Sequence, residues 1–171
     1  MATSLAATLK LSLSATYKAK TAGDDLSVPT LVLTKSVTDT LANGEGSGQA
    51  EVVYSDTLSG GSPYTIDVFG GITDAFGNTL SMDIIKGLLI HNRSTTTGEY
   101  IDVFGSTSVQ SIGYISGNTD EIRVHPEGVL FLWSPGAVAD CPTPAAGVKD
   151  EIEIVAGAGD PTIDIMIIGC V

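Results

Sequence analysis

The side chains of this chain that could do chemistry are few, and their spacing is poor for it. A hydrolase-type serine nucleophile has a glycine two residues away on each side, and none of Ser47, Ser62, Ser106 or Ser116 has both. His91 and His125 are the only histidines. Each falls at or near the end of a candidate strand, where a polar residue at the sheet rim accounts for it, and Pro126 after His125 reads as a strand-ending turn. No pair of Cys or His has zinc spacing, so Cys141 and Cys170 read as single thiols, kept reduced in a reducing compartment. Gly44-Glu45-Gly46-Ser47-Gly48 lacks the lysine and the helix of a phosphate-cradling loop. Asn92-Arg93-Ser94 matches the glycosylation acceptor pattern, which is common by chance.

Carboxylates are the exception in number. Asp67 and Asp102 sit in a repeated pentapeptide, Ile66-Asp67-Val68-Phe69-Gly70 and Ile101-Asp102-Val103-Phe104-Gly105. A facing pair could in principle cleave a glycosidic bond. Among 20 acidic residues, surface positions alternating along strands explain them more simply. Two copies do not make a solenoid; two strands with similar core-facing Ile/Val/Phe patterns account for the echo, with a duplicated hairpin as the alternative. Loops at 117–121, around Asp140 and at 157–160 could offer carboxylates and carbonyls to calcium, but no EF-hand or glycine–aspartate nonapeptide is present. No enzyme and no cofactor is expected.

The elements around these residues are short strands. Apolar and polar residues alternate repeatedly, and candidate strands fall at 8–13, 30–34, 51–56, 64–69, 84–91, 99–104, 121–124, 128–133, 151–155 and 162–168, between segments rich in Gly, Ser, Thr, Asn and Asp; residues 129–133 and 165–168 are apolar on both faces. Residues 37–41 are the one place where a short helical turn is expected. Ten short strands with no long helix between them predict an all-β chain: a two-sheet antiparallel sandwich, jelly-roll-like, with an extended N-terminal segment. The boundary falls at residue 27, with a segment or arm over 1–27 and the sandwich over 28–171. Phe69, Phe104, Phe131 and Trp133 are assigned to the core or to an interface between copies.

At 171 residues and 43% hydrophobic, the chain can bury a core without metal or disulfide staples. Its net charge of −12 repels phosphate backbones and anionic bilayers, so neither nucleic acid nor membrane is an expected partner. No apolar run approaches the roughly 18 residues of a membrane span. The N-terminal stretch lacks an early basic region and is interrupted by Lys10, which makes it a poor signal peptide and points to synthesis in the cytoplasm.

Five blocks carry a resemblance: TKSVTDTLANGEGSGQAEVVYSDT at 34–57, ITDAFGNTL at 72–80, IKGLLIHN at 85–92, IRVHPEGVLFLWSP at 122–135 and DIMIIG at 164–169. In content and order they resemble a family of small structural proteins of tailed bacteriophages, the jelly-roll cement or decoration proteins that stud the capsid exterior. The resemblance implies a homo-oligomer on the outer capsid surface, made in the host cytoplasm, with the major capsid protein and other copies of itself as partners; it supplies no catalytic residues.

The residues expected to make the capsid or subunit contact are Leu9, Leu11, Leu13 and Tyr17, on an arm that adds a strand to a neighbour's sheet. The alternative is that 8–13 is the first strand of the chain's own sandwich. A carbohydrate-binding sandwich of a phage fibre or secreted enzyme is the rival function, and it expects solvent-exposed aromatics in a row.

Overall fold

The computed structural model describes residues 5–18, 30–104, 121–147 and 149–171. In chain order its strands are β1 (Ala7–Lys18), β2 (Thr30–Asn43), β3 (Gln49–Ala50), β4 (Val52–Leu58), β5 (Tyr64–Asp67), β6 (Phe69–Thr73), β7 (Thr79–Ser81), β8 (Ile84–Asn92), β9 (Ile101–Phe104), β10 (Ile122–Val124), β11 (Val129–Trp133), β12 (Glu151–Ala156) and β13 (Ile163–Cys170). One 3-10 turn, Val138–Asp140, is the only helical element among the described residues. The chain is an all-β antiparallel sandwich.

Two four-stranded sheets, ordered β11-β8-β13-β4 and β10-β9-β12-β5, make the sandwich. Their pairing is nested. The first of the eight strands (β4) pairs with the last (β13), β5 with β12, β8 with β11, and β9 with β10. The β8–β13 and β9–β12 ladders join these pairs side by side. The sequence dictates which face turns inward. In β13, Ile163, Ile165 and Ile167 are buried while Asp164, Met166 and Ile168 alternate with them, because side chains on a strand point to opposite faces in turn. In β12, Ile152 and Ile154 are buried and alternate with Glu151, Glu153 and Val155. These isoleucines meet Ile66, Val68, Ile85, Leu88, Ile90, Ile101, Val103 and Val124 in one cluster drawn from both sheets. Each fully buried isoleucine contributes about 2–3 kcal/mol of transfer free energy.

Polar residues inside this frame are tied down. Asn92 is buried at the end of β8; its Nδ2 donates to the carbonyls of Glu99 (2.8 Å) and Val124 (3.3 Å), and its Oδ1 accepts from the Ser94 amide (3.1 Å). That use of all its hydrogen-bonding groups leaves the Asn92-Arg93-Ser94 acceptor pattern inaccessible in the folded chain. Lys86, 0% exposed, donates from Nζ to the Gly136 carbonyl (2.6 Å) and lies 3.5 Å from Cys141 Sγ, so it ties the 134–141 loop to β8. At the β6–β7 turn, Asp74 accepts from the side-chain amide of Asn78 and then from the backbone amides of Asn78 and Phe76, an Asx-type closure that holds its carboxyl below the usual range.

β1 and β2 belong to neither sandwich sheet. They form an antiparallel ribbon in unbroken register from Ala7↔Leu41 to Lys18↔Thr30, and the far end of β2 pairs with β3. The helical turn expected at 37–41 is corrected here. Val37 and Leu41 are four apart, which suits a helix, but Val37, Asp39 and Leu41 are also alternate residues, and pairing with Leu11, Leu9 and Ala7 along β1 selects the strand. β2 lies on the sandwich side of the boundary drawn at residue 27, yet it pairs along its length with β1.

Candidate functional site

The ribbon sorts its side chains by face. Directly opposed residues share a face, so Ala7, Leu9, Leu11, Leu13 and Ala15 stand with Leu41, Asp39, Val37, Lys35 and Leu33. The other face presents Thr8, Lys10, Ser12, Ser14 and Thr16 with Thr40, Thr38, Ser36, Thr34 and Val32. One side of the ribbon is therefore an apolar stripe and the other is largely hydroxylic.

The stripe is covered only at its base. There Leu41 is buried, Leu9 is half-buried, and the Asp39 carboxylate accepts a 3.0 Å hydrogen bond from Trp133 Nε1. The turn after β2 is held to the sandwich by Gly48 N donating to Pro135 O (2.8 Å), and Glu51 N donates to Gly169 O (2.9 Å). Further out the same stripe lies in solvent: Leu11 is 53% exposed, Leu13 69%, Leu33 56% and Val37 53%.

The seat of the ribbon is the outer face of the β11-β8-β13-β4 sheet. Register places Phe131, Leu89 and Met166 in one row across this face, and Trp133, Gly87 and Ile168 in the next. The Trp133 ring lies over Gly87, where an added Cβ would meet ring carbons at 2.8 Å; a glycine in a strand marks such a close approach. Phe131 stacks beside it, with centroids 5.9 Å apart and planes at 22°. Between the ribbon base (Ala7, Leu9) and this face (Leu89, Phe131, Met166, Ile168) runs an open apolar groove of ≈120 Å³. Met166 and Val129 remain exposed beside it.

The expected contact residues are thus brought together in part. Leu9, Leu11 and Leu13 line one ribbon face, Leu9 at the seat and the other two beyond it. Tyr17 is in register with Leu31; its side chain lies outside the described residues, as does that of Phe104. Residues 8–13 pair with β2 of the same chain, in a ribbon outside the two sandwich sheets. Phe131 and Trp133 face outward beneath the ribbon, and Phe69 is half-buried. A glycan platform would present such rings in the open. Sequence reasoning missed Asp39, Gly87 and the β2 half of the stripe; the alternation Val37, Asp39, Leu41 was the available signal.

The carboxylates considered for glycosidic chemistry lie apart. Asp67 is opposite Glu151 and Asp102 opposite Val155, on the two sides of β12, which separates them by about 16 Å at strand spacings. The carboxyl pairs of glycosidases stand roughly 5–9.5 Å apart. Asp102 instead takes both arms of Arg123 (2.8 and 2.9 Å), whose guanidinium lies 3.8 Å over the Tyr100 ring. Ile66, Val68, Ile101 and Val103 of the repeated pentapeptide all point into the core. Cys141 and Cys170 are free and buried. Among the described residues no group of three His, Cys, Asp or Glu could hold a metal, and no helix is long and apolar enough to cross a membrane.

Fold and site together define an all-β sandwich that carries a projecting amphipathic β-ribbon. No protein-family model, curated protein or solved structure matches the chain.

Proposed function

We propose that this is a virion structural protein of the cement, or decoration, class, which binds the outer surface of a phage capsid as a homo-oligomer and stabilises contacts between major capsid subunits. The observation that carries the reading is the ribbon. A two-stranded hairpin is marginal alone in water, and this one holds three leucines and a valine in solvent on one face, as an element does whose cover comes from an assembly. The sandwich fits the role through its nested strand order, which we infer to be that of a jelly roll, and through its acidity. A −12 chain is repelled by packaged DNA and suits the exterior of a shell.

Sedimentation with empty phage heads tests the proposal. Saturable binding at a fixed ratio to the major capsid subunit is expected, and a folded protein that stays in the supernatant over a range of head concentrations refutes it.

A further inference from the structure

We infer that the cover of the ribbon's apolar stripe is a second copy of this chain, and that two copies exchange ribbons, each laying its stripe on the outer face of the other's β11-β8-β13-β4 sheet. The inference rests on the ribbon being an assembly arm, as in the proposed function, and is independent of any capsid.

Continuity is the first argument. Within one chain the base of the stripe already packs on this sheet face, through Ala7, Leu9 and the Asp39–Trp133 hydrogen bond. The exposed part of the stripe (Leu11, Leu13, Leu33, Val37) and the exposed part of the face (Met166, Val129, and the groove beside Phe131 and Leu89) are the unpaired remainders of that one contact.

Charge decides the direction of docking. Four of the eight basic residues, Lys10, Lys18, Lys20 and Lys35, fall within residues 1–43 beside three acidic ones, whereas residues 44–171 hold 17 acidic residues and four basic. Lys35 stands on the stripe itself, opposite Leu13. Lys10 and Lys18 lie on the opposite ribbon face, so stripe against stripe would bring the two Lys35 ammonium groups together; stripe against sandwich sets Lys35 on an acidic body, where Asp164, shared with Arg93 and His91, lies in the row beside Met166.

Area decides the symmetry. Among the described residues, the uncovered part of the ribbon spans about six residues of two strands, which at ~3.3 Å per residue and ~4.8 Å per strand is roughly 190 Å² of face. A one-way contact, counting both partners, buries about 380 Å², far below the roughly 1,000 Å² of a specific interface. Reciprocal exchange doubles this to about 760 Å², so the closed two-fold arrangement is the one that comes near it, and it also leaves no unfilled ribbon to propagate a fibre.

The experiment uses the full chain. Sedimentation velocity is expected to show a dimer of the 17.5 kDa chain. Leu13→Asp, counted twice in a two-fold dimer, should weaken it about 100-fold or more, while Ser12→Asp on the opposite ribbon face should leave the dissociation constant within about threefold. Because Leu13 is solvent-exposed in the single chain, both variants should retain the wild-type circular dichroism, and the melting temperature of Leu13→Asp should fall only to the value that wild type reaches on dilution. A photo-crosslinking residue at position 13, in mixed light and heavy copies, should form light–heavy adducts on the β8, β11 or β13 segments around Leu89, Phe131 and Met166. A monomer at 100-micromolar scale overturns the inference, as does a dimer indifferent to Leu13→Asp or one whose adducts fall on the ribbon. A monomer that still binds heads through Leu13 overturns the exchange and leaves the proposed function standing.

Discussion

Gly87→Ala probes the seat of the ribbon from beneath. The added methyl would meet Cε3 and Cζ3 of Trp133 at 2.8 Å, too close for any real Cβ, so the indole must lift off the sheet. Gly87 has ordinary strand geometry, so alanine brings no backbone strain and recovers the roughly 0.5–1 kcal/mol that glycine forfeits in a strand. Against that gain, overpacking costs about 1–3 kcal/mol, and the displaced ring loses its 3.0 Å hydrogen bond to the Asp39 carboxylate, worth about 1.5–3 kcal/mol for a charged acceptor. The balance is a loss of about 3 kcal/mol, or roughly 6–12 °C in melting temperature for a chain of this size. The assay is intrinsic fluorescence, since Trp133 is the sole tryptophan and its emission reports this contact alone. Emission should shift to the red, and adding Asp39→Ala should cost less than it does alone, because both changes break the same bond. Unchanged emission with a fall of less than about 2 °C would refute the packing of ribbon on sheet.

Tyr54 supplies a pH test. Burial first, and then its 3.1 Å hydrogen bond to Asp56, push the phenol up to about 12 from the usual 10. A raised folded value means stability that is complete below pH 10 and lost as pH rises from 10 to 12; denaturation of wild type and Tyr54→Phe should show their difference constant below pH 10 and shrinking above it, and a flat difference sinks the assignment. Asn92→Ala leaves the partners of three buried hydrogen bonds unpaired and should cost about 3 kcal/mol in urea unfolding; a loss under about 1 kcal/mol contradicts the buried network. Cys141 and Cys170 should label at least about 100-fold more slowly in the native protein than in urea at pH 8, since both are buried and burial pushes the Cys170 thiol up. Equal rates would show the loop over Lys86 to be open.

Strands with one buried face were legible where alternation was strict. β12 and β13 carry Ile-x-Ile patterns that no helix period fits, and their extents agree with the sequence expectation to within two residues. Tyr64 to Phe69 read as one strand but is two, because β5 ends at Asp67 and β6 begins at Phe69. The β6–β7 hairpin escaped because its strands are short and rich in glycine and threonine. β2 was half-seen: its first five residues hold a short apolar run, Leu31-Val32-Leu33, between threonines, whereas Lys35 and Asp39 interrupt the apolar stripe and hide its continuation. Those two charges make sense only once a second strand lies alongside and Trp133 stands within reach of Asp39, which is information 94 residues away in the chain. The seat itself could not be read from sequence, because Phe131 and Trp133 look alike whether they face the core or cover its outside.

The nested pairing also orders events in time. Only 17 residues separate β9 from β10, whereas 104 separate β4 from β13. Closing the outermost pair first would cost about 1.6 kcal/mol more chain entropy than closing the innermost. Each inner pair, once formed, shortens the loop that the next must close, so the sandwich zips from β9–β10 outward on the millisecond-to-second scale of non-local β topologies. The outermost ladder belongs to the sheet on which the ribbon sits. Its strand β13 also completes the seat beside β8 and β11; until β13 docks, the seat lacks Met166 and Ile168 and the ribbon's row of leucines is open to any unpaired strand nearby, an interval in which nascent or crowded chains are most prone to aggregate.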